Sequence, residues 1–399
     1  MAYISDTAGQ KGLFTDGDWI LSENMSKDGT VGVIQLKHVG VGEFLDKDFQ
    51  YISNTTFNEL GCTEVLPGDV LISRMADPIG RACIVPRLLF RAVTAVDVSI
   101  LRVDNNVADS HFITHLCNSH LVRDQVEKAA RGTTRSRITR TELGEVEIPL
   151  PDLSEQRRIA GELERADGLR RTRRYALELA DTFLPAAFLQ LFGSTGNEFP
   201  ISTVEDLLAD KRNAIRTGPF GSQLLHSEFT DSGIAVLGID NAVNNSFEWS
   251  QRRYITPEKY EQLKRYTVFP GDVIITLMGT CGRCAIVPAN IPTAINTKHL
   301  CCITLDQARC LPVFLQGAFL YHPFVRQQLS MKTKGSIMEG LNMGIIQELR
   351  IPLPPPALQT RFAELVERHE RLRAVQRESL RQADHLFYSL LNQAFTPDC

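Results

Sequence analysis

Leu66-Pro67-Gly68-Asp69-Val70-Leu71-Ile72-Ser73 reads as a turn feeding a strand, and it returns about 203 residues later as Phe269-Pro270-Gly271-Asp272-Val273-Ile274-Ile275-Thr276. Gly80-Arg81-Ala82-Cys83-Ile84-Val85-Pro86 returns as Gly282-Arg283-Cys284-Ala285-Ile286-Val287-Pro288, one residue out of step. On the same diagonal Val33-Ile34-Gln35-Leu36 meets Val236-Leu237-Gly238-Ile239, Tyr51-Ile52 meets Tyr254-Ile255, and Ile148-Pro149-Leu150-Pro151 meets Ile351-Pro352-Leu353-Pro354. The chain is therefore one domain-length unit written twice. Landmarks match while the stretches between them diverge, so it presents two related but unlike surfaces, an arrangement suited to a two-part target.

The repeat sets the domain count more firmly than the length of 399 residues does. Hydrophobic residues at 43% and charged residues at 23% describe a globular protein. No apolar run reaches the ~18 residues of a membrane span, and no secretory leader is read at Met1. A cytoplasmic location is expected. Nine cysteines without a regular framework fit a reducing compartment. Cys281-Gly-Arg-Cys284, with Cys301, Cys302 and Cys310 downstream, has zinc-like spacing. The first copy carries Ile79 and Ala82 at those places, so buried thiols are the expectation and no metal is assigned. The net charge of −4 is low for a simple DNA-binding domain, yet Arg123 to Arg140 holds six basic and two acidic residues.

Each copy has two textures. Residues 1–150 and 197–350 alternate short β-branched runs with Gly, Pro, Asn and Asp, interrupted by helical patches at His111 to Ala130 and Leu311 to Met331. This predicts mixed α/β or α+β globules. Residues 151–196 and 351–399 instead predict long helices, from about Ser154 to Phe192 and from Ala357 to Phe395. Ile159, Leu163, Ala166, Leu169, Leu177 and Leu184 recur at helical spacing in the first. Phe362, Leu365, Val366, Leu372, Val375, Ala383, Leu386 and Leu390 do so in the second. Asp152 or Ser154 is the expected cap, with Glu155 closing a box on Asp152, and Pro185 predicts a kink. At ~1.5 Å per residue such helices exceed 50 Å. They are expected to bury their stripes on each other as an antiparallel coiled coil; the alternative is that each folds onto its own globule.

No phosphate-binding Gly-x-x-x-x-Gly-Lys-Ser/Thr loop, nucleophile elbow, His-Glu-x-x-His helix or Asn/Asp-Pro-Pro-Tyr/Phe segment is present, so no catalytic residue is assigned. Asp69 and Asp272 are expected to satisfy turn amides. Arg131, Thr133, Thr134, Arg135 and Arg137 offer guanidinium and hydroxyl groups around a flexible glycine, suited to phosphate or guanine, with Lys334 and Ser336 as their twins. Thr217, Gly218, Phe220, Gly221 and Ser222 form a loop that can bring backbone amides close to a phosphate. Arg74, Arg81 and Arg283 flank duplicated strands. Lys37-His38 opposite Asp240-Asn241 is the unlike pair expected to read different bases. Tyr51 and Tyr254 are read as core.

These motifs, in this order and spacing, resemble the specificity subunits of type I restriction-modification systems over nearly the whole chain. The resemblance rests on the duplicated Pro-Gly-Asp-Val block, Ile148-Pro-Leu-Pro-Asp-Leu-Ser-Glu-Gln-Arg-Arg-Ile159, and Thr217-Gly-Pro-Phe-Gly-Ser-Gln-Leu224. It implies an α+β fold in which two target-recognition domains alternate with two long spacer helices. It further implies a non-catalytic subunit that reads both halves of a split DNA site and directs adenine methylation and cleavage by its partners. Those partners would be two methyltransferase subunits and a motor-nuclease, which would carry S-adenosylmethionine, ATP and magnesium. Gln156, Arg157, Arg158, Phe183, Phe188, Phe192, Gln359 and Arg361 become candidates for the partner interface. Pro354-Pro-Pro-Ala-Leu-Gln-Thr360 lacks the Ser-Glu-Gln-Arg of the first copy, and Asp16-Gly17-Asp18-Trp19 stands where a twin of Thr217 to Leu224 is expected. Such differences imply an asymmetric site. A protein–protein scaffold built on a helical hairpin is the alternative reading.

Overall fold

The computed structural model describes residues 1–75, 78–132, 136–193, 199–249, 252–333 and 340–396. It resolves into two compact units, residues 1–175 with 377–399, and residues 176–376. In the first unit an antiparallel sheet runs in the spatial order Leu13–Thr15, Val98–Arg102, Val70–Ser73, Ala82–Ile84. Its central strands are apolar at successive positions because both faces are covered. Val70, Ile72, Ala82 and Leu101 meet Phe112, Leu116 and Val126 of helices Ser110–Cys117 and His120–Ala129. Leu71, Cys83, Val98 and Ile100, pointing the other way, meet Ile34 and Ala92. Those two residues belong to a second sheet, Gln50–Ile52, Val31–Ile34, Arg91–Thr94, whose last pair is parallel.

The second unit repeats this plan. Its four-stranded sheet is Ile215–Thr217, Leu300–Ile303, Val273–Thr276, Cys284–Ile286. Its second sheet, Tyr254–Ile255, Ile234–Leu237, Ala294–Asn296, Thr267–Val268, again contains one parallel pair. Val273, Ile275 and Ile303 face Phe314 and Leu315, whereas Ile274, Ala285 and Cys302 face Leu237 and Ala294. Each predicted helical patch is two helices: Ser110–Cys117 then His120–Ala129, and Pro312–Tyr321 then Pro323–Thr333. Pro323 ends the earlier helix because it disfavours helical backbone at His322. Burial pushes the thiols of Cys301 and Cys310 up to about 12, the behaviour of core side chains. Among the described residues no helix is long and apolar enough to cross a membrane, and no group of three or more His, Cys, Asp and Glu is placed to hold a metal.

The Pro-Gly-Asp turns are built alike. Gly68 and Gly271 have φ of 93° and 81°, a region that favours glycine. The buried Asp69 carboxylate accepts the Leu66 amide at 2.8 Å and both ends of the Arg102 fork at 2.8 Å. Asp272 accepts the Phe269 amide at 2.7 Å together with Arg216, Thr304 and the Cys302 thiol.

The long helices are Leu153–Phe192 and Pro356–Phe395, 40 residues each. In the first unit Ile159, Ala160, Leu163 and Ala166 share a core with Phe387, Leu391 and Phe395. The Arg170 guanidinium lies 4.3 Å over the Phe387 ring while Asp167 holds its other edge. In the second unit Phe188 and Phe192 pack on Phe362, and His369 Nε2 donates to the Ala180 carbonyl at 2.9 Å. The start of one helix against the end of the other, seen in each unit, is antiparallel packing. The two sequence-based alternatives coexist, because the same helices also close the globular cores. Several apolar residues expected in the seam are instead exposed: Leu169, Leu372, Val375 and Leu386. Buried positions in the second helix follow 362, 369, 383, 387 and 391, a near-heptad line that includes His369 and leaves those leucines outside it. Asp152 caps the first helix by accepting the Glu155 amide at 2.9 Å. Glu155 does not return to the cap, since Arg158 occupies its carboxylate at 2.7 and 2.8 Å. The helix is continuous through Pro185.

Two measurements test these contacts. Arg216 is almost wholly buried, whereas the Arg102 side chain is 31% exposed. Asp272→Ala is therefore expected to cost about 3–5 kcal/mol, the usual penalty for stranding a buried charge. Asp69→Ala should cost clearly less, because Arg102 can turn to water. Urea unfolding of the two variants decides, and equal losses would show that exposure is irrelevant here. The second test uses Glu164, which takes His115 Nε2 at 2.9 Å and His111 Nδ1 at 3.3 Å. Its carboxylate holds the His111 pKa above the usual 6.5, and the two imidazoles hold Glu164 well below the ordinary 4.5. Stability from His111 is complete below 6.5 and is lost as pH rises through its raised folded value; that from Glu164 is complete above 4.5 and is lost as pH falls through its depressed one. Melting temperature should thus fall more for the wild type than for Glu164→Gln between about pH 6 and about pH 8. Parallel curves would remove the cluster from the account.

Candidate nucleic-acid interface

Both faces of each four-stranded sheet are covered, which leaves its ends for side chains with other work. At one end of the first sheet lie the loop after Leu13–Thr15, the residues after Val70–Ser73, and those before Val98–Arg102. They are stitched together by Gly17 N to Val98 O at 3.0 Å and Arg74 N to Asp97 O at 2.9 Å. Arg131, Arg137 and Ile138 join them: Ile138 N donates to Arg74 O at 3.0 Å, and Arg131 and Arg137 exchange backbone bonds of 2.9 Å. Two exposed guanidinium groups are aimed by carboxylates, Arg131 by Glu142 and Arg137 by Asp97, both at 3.1 Å.

The second unit brings the same loops together. Gly218 N donates to Thr297 O at 3.3 Å, Leu277 N to His299 O at 2.9 Å, and Leu341 N to Leu277 O at 2.8 Å. Here residues 217–223, 277–283 and 297–299 contain no acidic residue, and Arg283 and Lys298 are exposed among them. The two sheet ends thus share a backbone plan and differ in charge: one sets arginines in ion pairs, the other presents cations without nearby carboxylates in those loops.

Several candidate residues lie elsewhere than expected. Arg74 is buried, hydrogen-bonded to the Val96 and Ile138 carbonyls and paired with Asp16 at 3.2 Å, and burial lowers its pKa. Arg81 is buried too, clamping the carbonyls of Val39, Pro78 and Leu36 at 2.6–3.1 Å. Its equivalent Arg283 is exposed, so a shared motif serves the interior in one copy and the surface in the other. His38 and Asn241, expected as part of an unlike base-reading pair, hold the same structural post. Each is the last residue of a short 3-10 turn and accepts the amide three residues back at 2.9 Å, from Gln35 and Gly238. Both are buried, which removes them from the surface. Burial lowers the His38 pKa. Lys37 is exposed, and Asp240 pairs with Arg253. Tyr51 is half-buried beside Phe90. Thr217 is a strand residue paired with Cys301, while Phe220, Gly221 and Ser222 are exposed. Thr133, Thr134, Arg135, Lys334 and Ser336 lie outside the described residues.

On the helices, Gln156 and Gln359 are wholly buried and structural. Gln156 accepts the Asp109 amide at 2.9 Å and donates to Val107 and Pro151 carbonyls; Gln359 accepts the Leu311 amide at 2.8 Å and donates to Arg309 and Pro354. An amide side chain is the only kind here that satisfies a donor and two acceptors at once. Phe188 and Phe192 are core residues, and Phe183 is partly exposed, stacked on His369 with ring centres 5.4 Å apart. Arg157 and Arg361 are exposed; Arg158 is exposed and held by Glu155 and Glu162.

The sequence places Asp16-Gly17-Asp18-Trp19 opposite the Thr217 to Leu224 loop but does not single out Trp19 as a site residue. Phe14 pairs with Leu101 and Ile215 with Ile303, and Leu101 and Ile303 face Val70 and Val273 of the duplicated block. Gly17 therefore stands where Gly218 stands, and Trp19 where Phe220 stands. Asp-Gly-Asp-Trp and Thr-Gly-Pro-Phe share only a glycine, so the sheet register was needed to match them residue by residue.

The chain matches the type I restriction modification DNA specificity domain over residues 14–178 and again over 221–382. The type I restriction enzyme MjaVIII specificity subunit of Methanocaldococcus jannaschii is 20% identical over 307 residues, 74% of this chain and 72% of that one. A second chain of that organism, assigned by name to the specificity subunit of the type I enzyme MjaX, is 20% identical over 360 residues, covering 87% and 82%. Among solved structures, the crystal structure of a type I restriction-modification S subunit from M. genitalium superposes with a TM-score of 0.58 at 15% identity, covering 100% of this chain and 96% of that one. A chain from a study of complex assembly and conformational transition in a type I system gives the same TM-score at 18% identity, covering 97% and 98%. Two family matches laid over two copies of one fold, across most of its length, show that the chain belongs to the type I restriction-modification DNA specificity family.

Proposed function

We propose that this chain is the sequence-recognition subunit of a type I restriction-modification complex, in which residues 1–150 and residues 197–350 are two target-recognition domains, each reading one half of a bipartite, asymmetric duplex site. The observation that carries this reading is the pair of sheet ends, alike in backbone and unlike in side chains. A half-site read by Arg131 and Arg137, aimed by Glu142 and Asp97, cannot match one met by Arg283, Lys298 and the Thr217 to Ser222 loop. Fixed guanidinium forks suit bidentate contact with guanine, and glycine-rich backbone suits phosphate. Arg283 and Lys298 at the second sheet end supply local attraction that the overall charge of −4 does not, while the arginines of the first are matched by carboxylates and serve geometry more than attraction.

The chain itself performs no chemistry, as befits a specificity subunit. Adenine methylation falls to two methyltransferase subunits that bind S-adenosylmethionine. Cleavage falls to motor-nuclease subunits that use ATP and magnesium. Exposed Arg157, Arg361 and Phe183, with Leu179, Leu372 and Val375 on the same two helices, are the residues available for docking the methyltransferases. No metal or cofactor is assigned to this chain.

Mapping N6-methyladenine across the host genome with and without the gene is the direct test. Loss of methylation at one split, asymmetric motif is expected; an unchanged map with partner genes expressed would refute DNA recognition. Within the reconstituted complex, Arg137→Ala should weaken binding by ~5- to 150-fold and relax base preference in one half-site only. Equal loss at both halves, or none, would place the contact elsewhere.

A further inference from the structure

We propose that Trp19 and Phe220 are a matched pair of base-stacking residues, each laying its ring against a nucleobase of the half-site read by its own unit; this rests on the recognition role above. Sheet register makes the two positions equivalent, five residues beyond Phe14 and Ile215. Their surroundings have diverged, yet both positions carry a large aromatic side chain, and both are open to solvent, Trp19 at 68% and Phe220 at 57%. Exposing so much apolar area brings no benefit to folding.

Neither ring meets another ring or a cation among the described residues. That sets them apart from Phe269, which lies under Lys211 at 3.9 Å, and from Trp249, beside Phe247 at 5.3 Å. The backbone that carries them is anchored. A Cβ on Gly17 would lie 2.2 Å from the Ala95 carbonyl oxygen, and one on Gly218 would lie 2.0 Å from that of Asn296, so the chain is pressed onto the sheet end two residues ahead of each ring. Asp18 N adds a bond of 2.8 Å to Thr94 O in the first unit, and Gln223 N bonds Phe220 O at 3.2 Å in the second. Both rings therefore project from anchored backbone at the sheet end that also carries the exposed cations.

An aromatic side chain has only two rotatable bonds, so on anchored backbone it pays little ordering entropy on contact. Next to groups suited to phosphate, the apolar surface available to it is the face of a base. Stacking tolerates any base, since every base has a π-face. That explains how positions in two domains with unlike targets can both keep an aromatic residue while the residues around them differ. The contact requires a base step to open, as apolar wedges do elsewhere in duplex recognition.

The test uses the complete complex of this chain with its methyltransferase subunits and duplexes carrying the mapped site, or the site with one half scrambled. Trp19→Ala should weaken binding to the intact site by roughly tenfold, with the slope of affinity against salt unchanged because no phosphate contact is lost. The loss should vanish when the first unit's half-site is scrambled, and Trp19→Phe should restore binding. Phe220→Ala should behave in the same way on the other half, with rescue by Phe220→Trp. Retained response to the untouched half-site shows that each variant is folded. Wild-type affinity in both alanine variants, or a loss that follows the salt slope, would overturn the stacking role while leaving DNA recognition standing. Absence of site-specific binding by the wild-type complex would overturn both.

Discussion

A buried carboxylate at a Pro-Gly-Asp turn holds each unit's sheet together. Asp69 and Asp272 bond the turn's own amide and an arginine of the same sheet, from the adjacent strand in the first unit and from the strand beyond it in the second, so each ties a turn to its sheet with one side chain. The arginine does not come from the same place in the two units. Arg102 and Thr304 occupy equivalent positions, as do Thr15 and Arg216, so arginine and threonine have exchanged strands. Thr304 still bonds Asp272, and Arg216 bonds Thr304 at 3.0 Å. What has been kept is the neutralisation of a charge in a dry site, which the physics of burial requires wherever the partner originates.

With the sheet fixed and both faces covered, the exposed side chains are those of its loops and of the outer faces of the long helices. The buried glutamines Gln156 and Gln359 tie the first turn of each long helix to the loop ahead of a core helix, at Asp109 and Leu311. The start of each helix is thereby coupled to its globule by groups that cost about 1–3 kcal/mol each if left unpaired.

The coiled-coil seam illustrates how sequence reading can fail locally while succeeding globally. Helix extents were legible to within a residue or two, because a long stretch without a glycine-rich break and with apolar residues every three or four positions admits little else. Which face was buried was less legible. Leu372 and Val375 have the composition of a seam, but His369 and Arg373 have the position, and position follows from the partner helix. The same applies to the site. His38 and Asn241 looked like a recognition pair because they differ between copies, yet both cap a short turn, a task that different acceptors perform equally well.

The sequence by itself determined the duplication, the α+β texture of the two domains, the two long helices and the turns at Asp69 and Asp272. These are set by local periodicity and by backbone chemistry, which repeat wherever the same pattern is written. Only the tertiary structure decided that Arg81 turns inward while Arg283 turns outward, that Gln156 and Gln359 are internal ties, and that within two segments already opposite each other in sequence it is Trp19 that answers Phe220. Each of those depends on which carbonyls, carboxylates or solvent lie within a few ångströms, and residues far apart in the chain provide them.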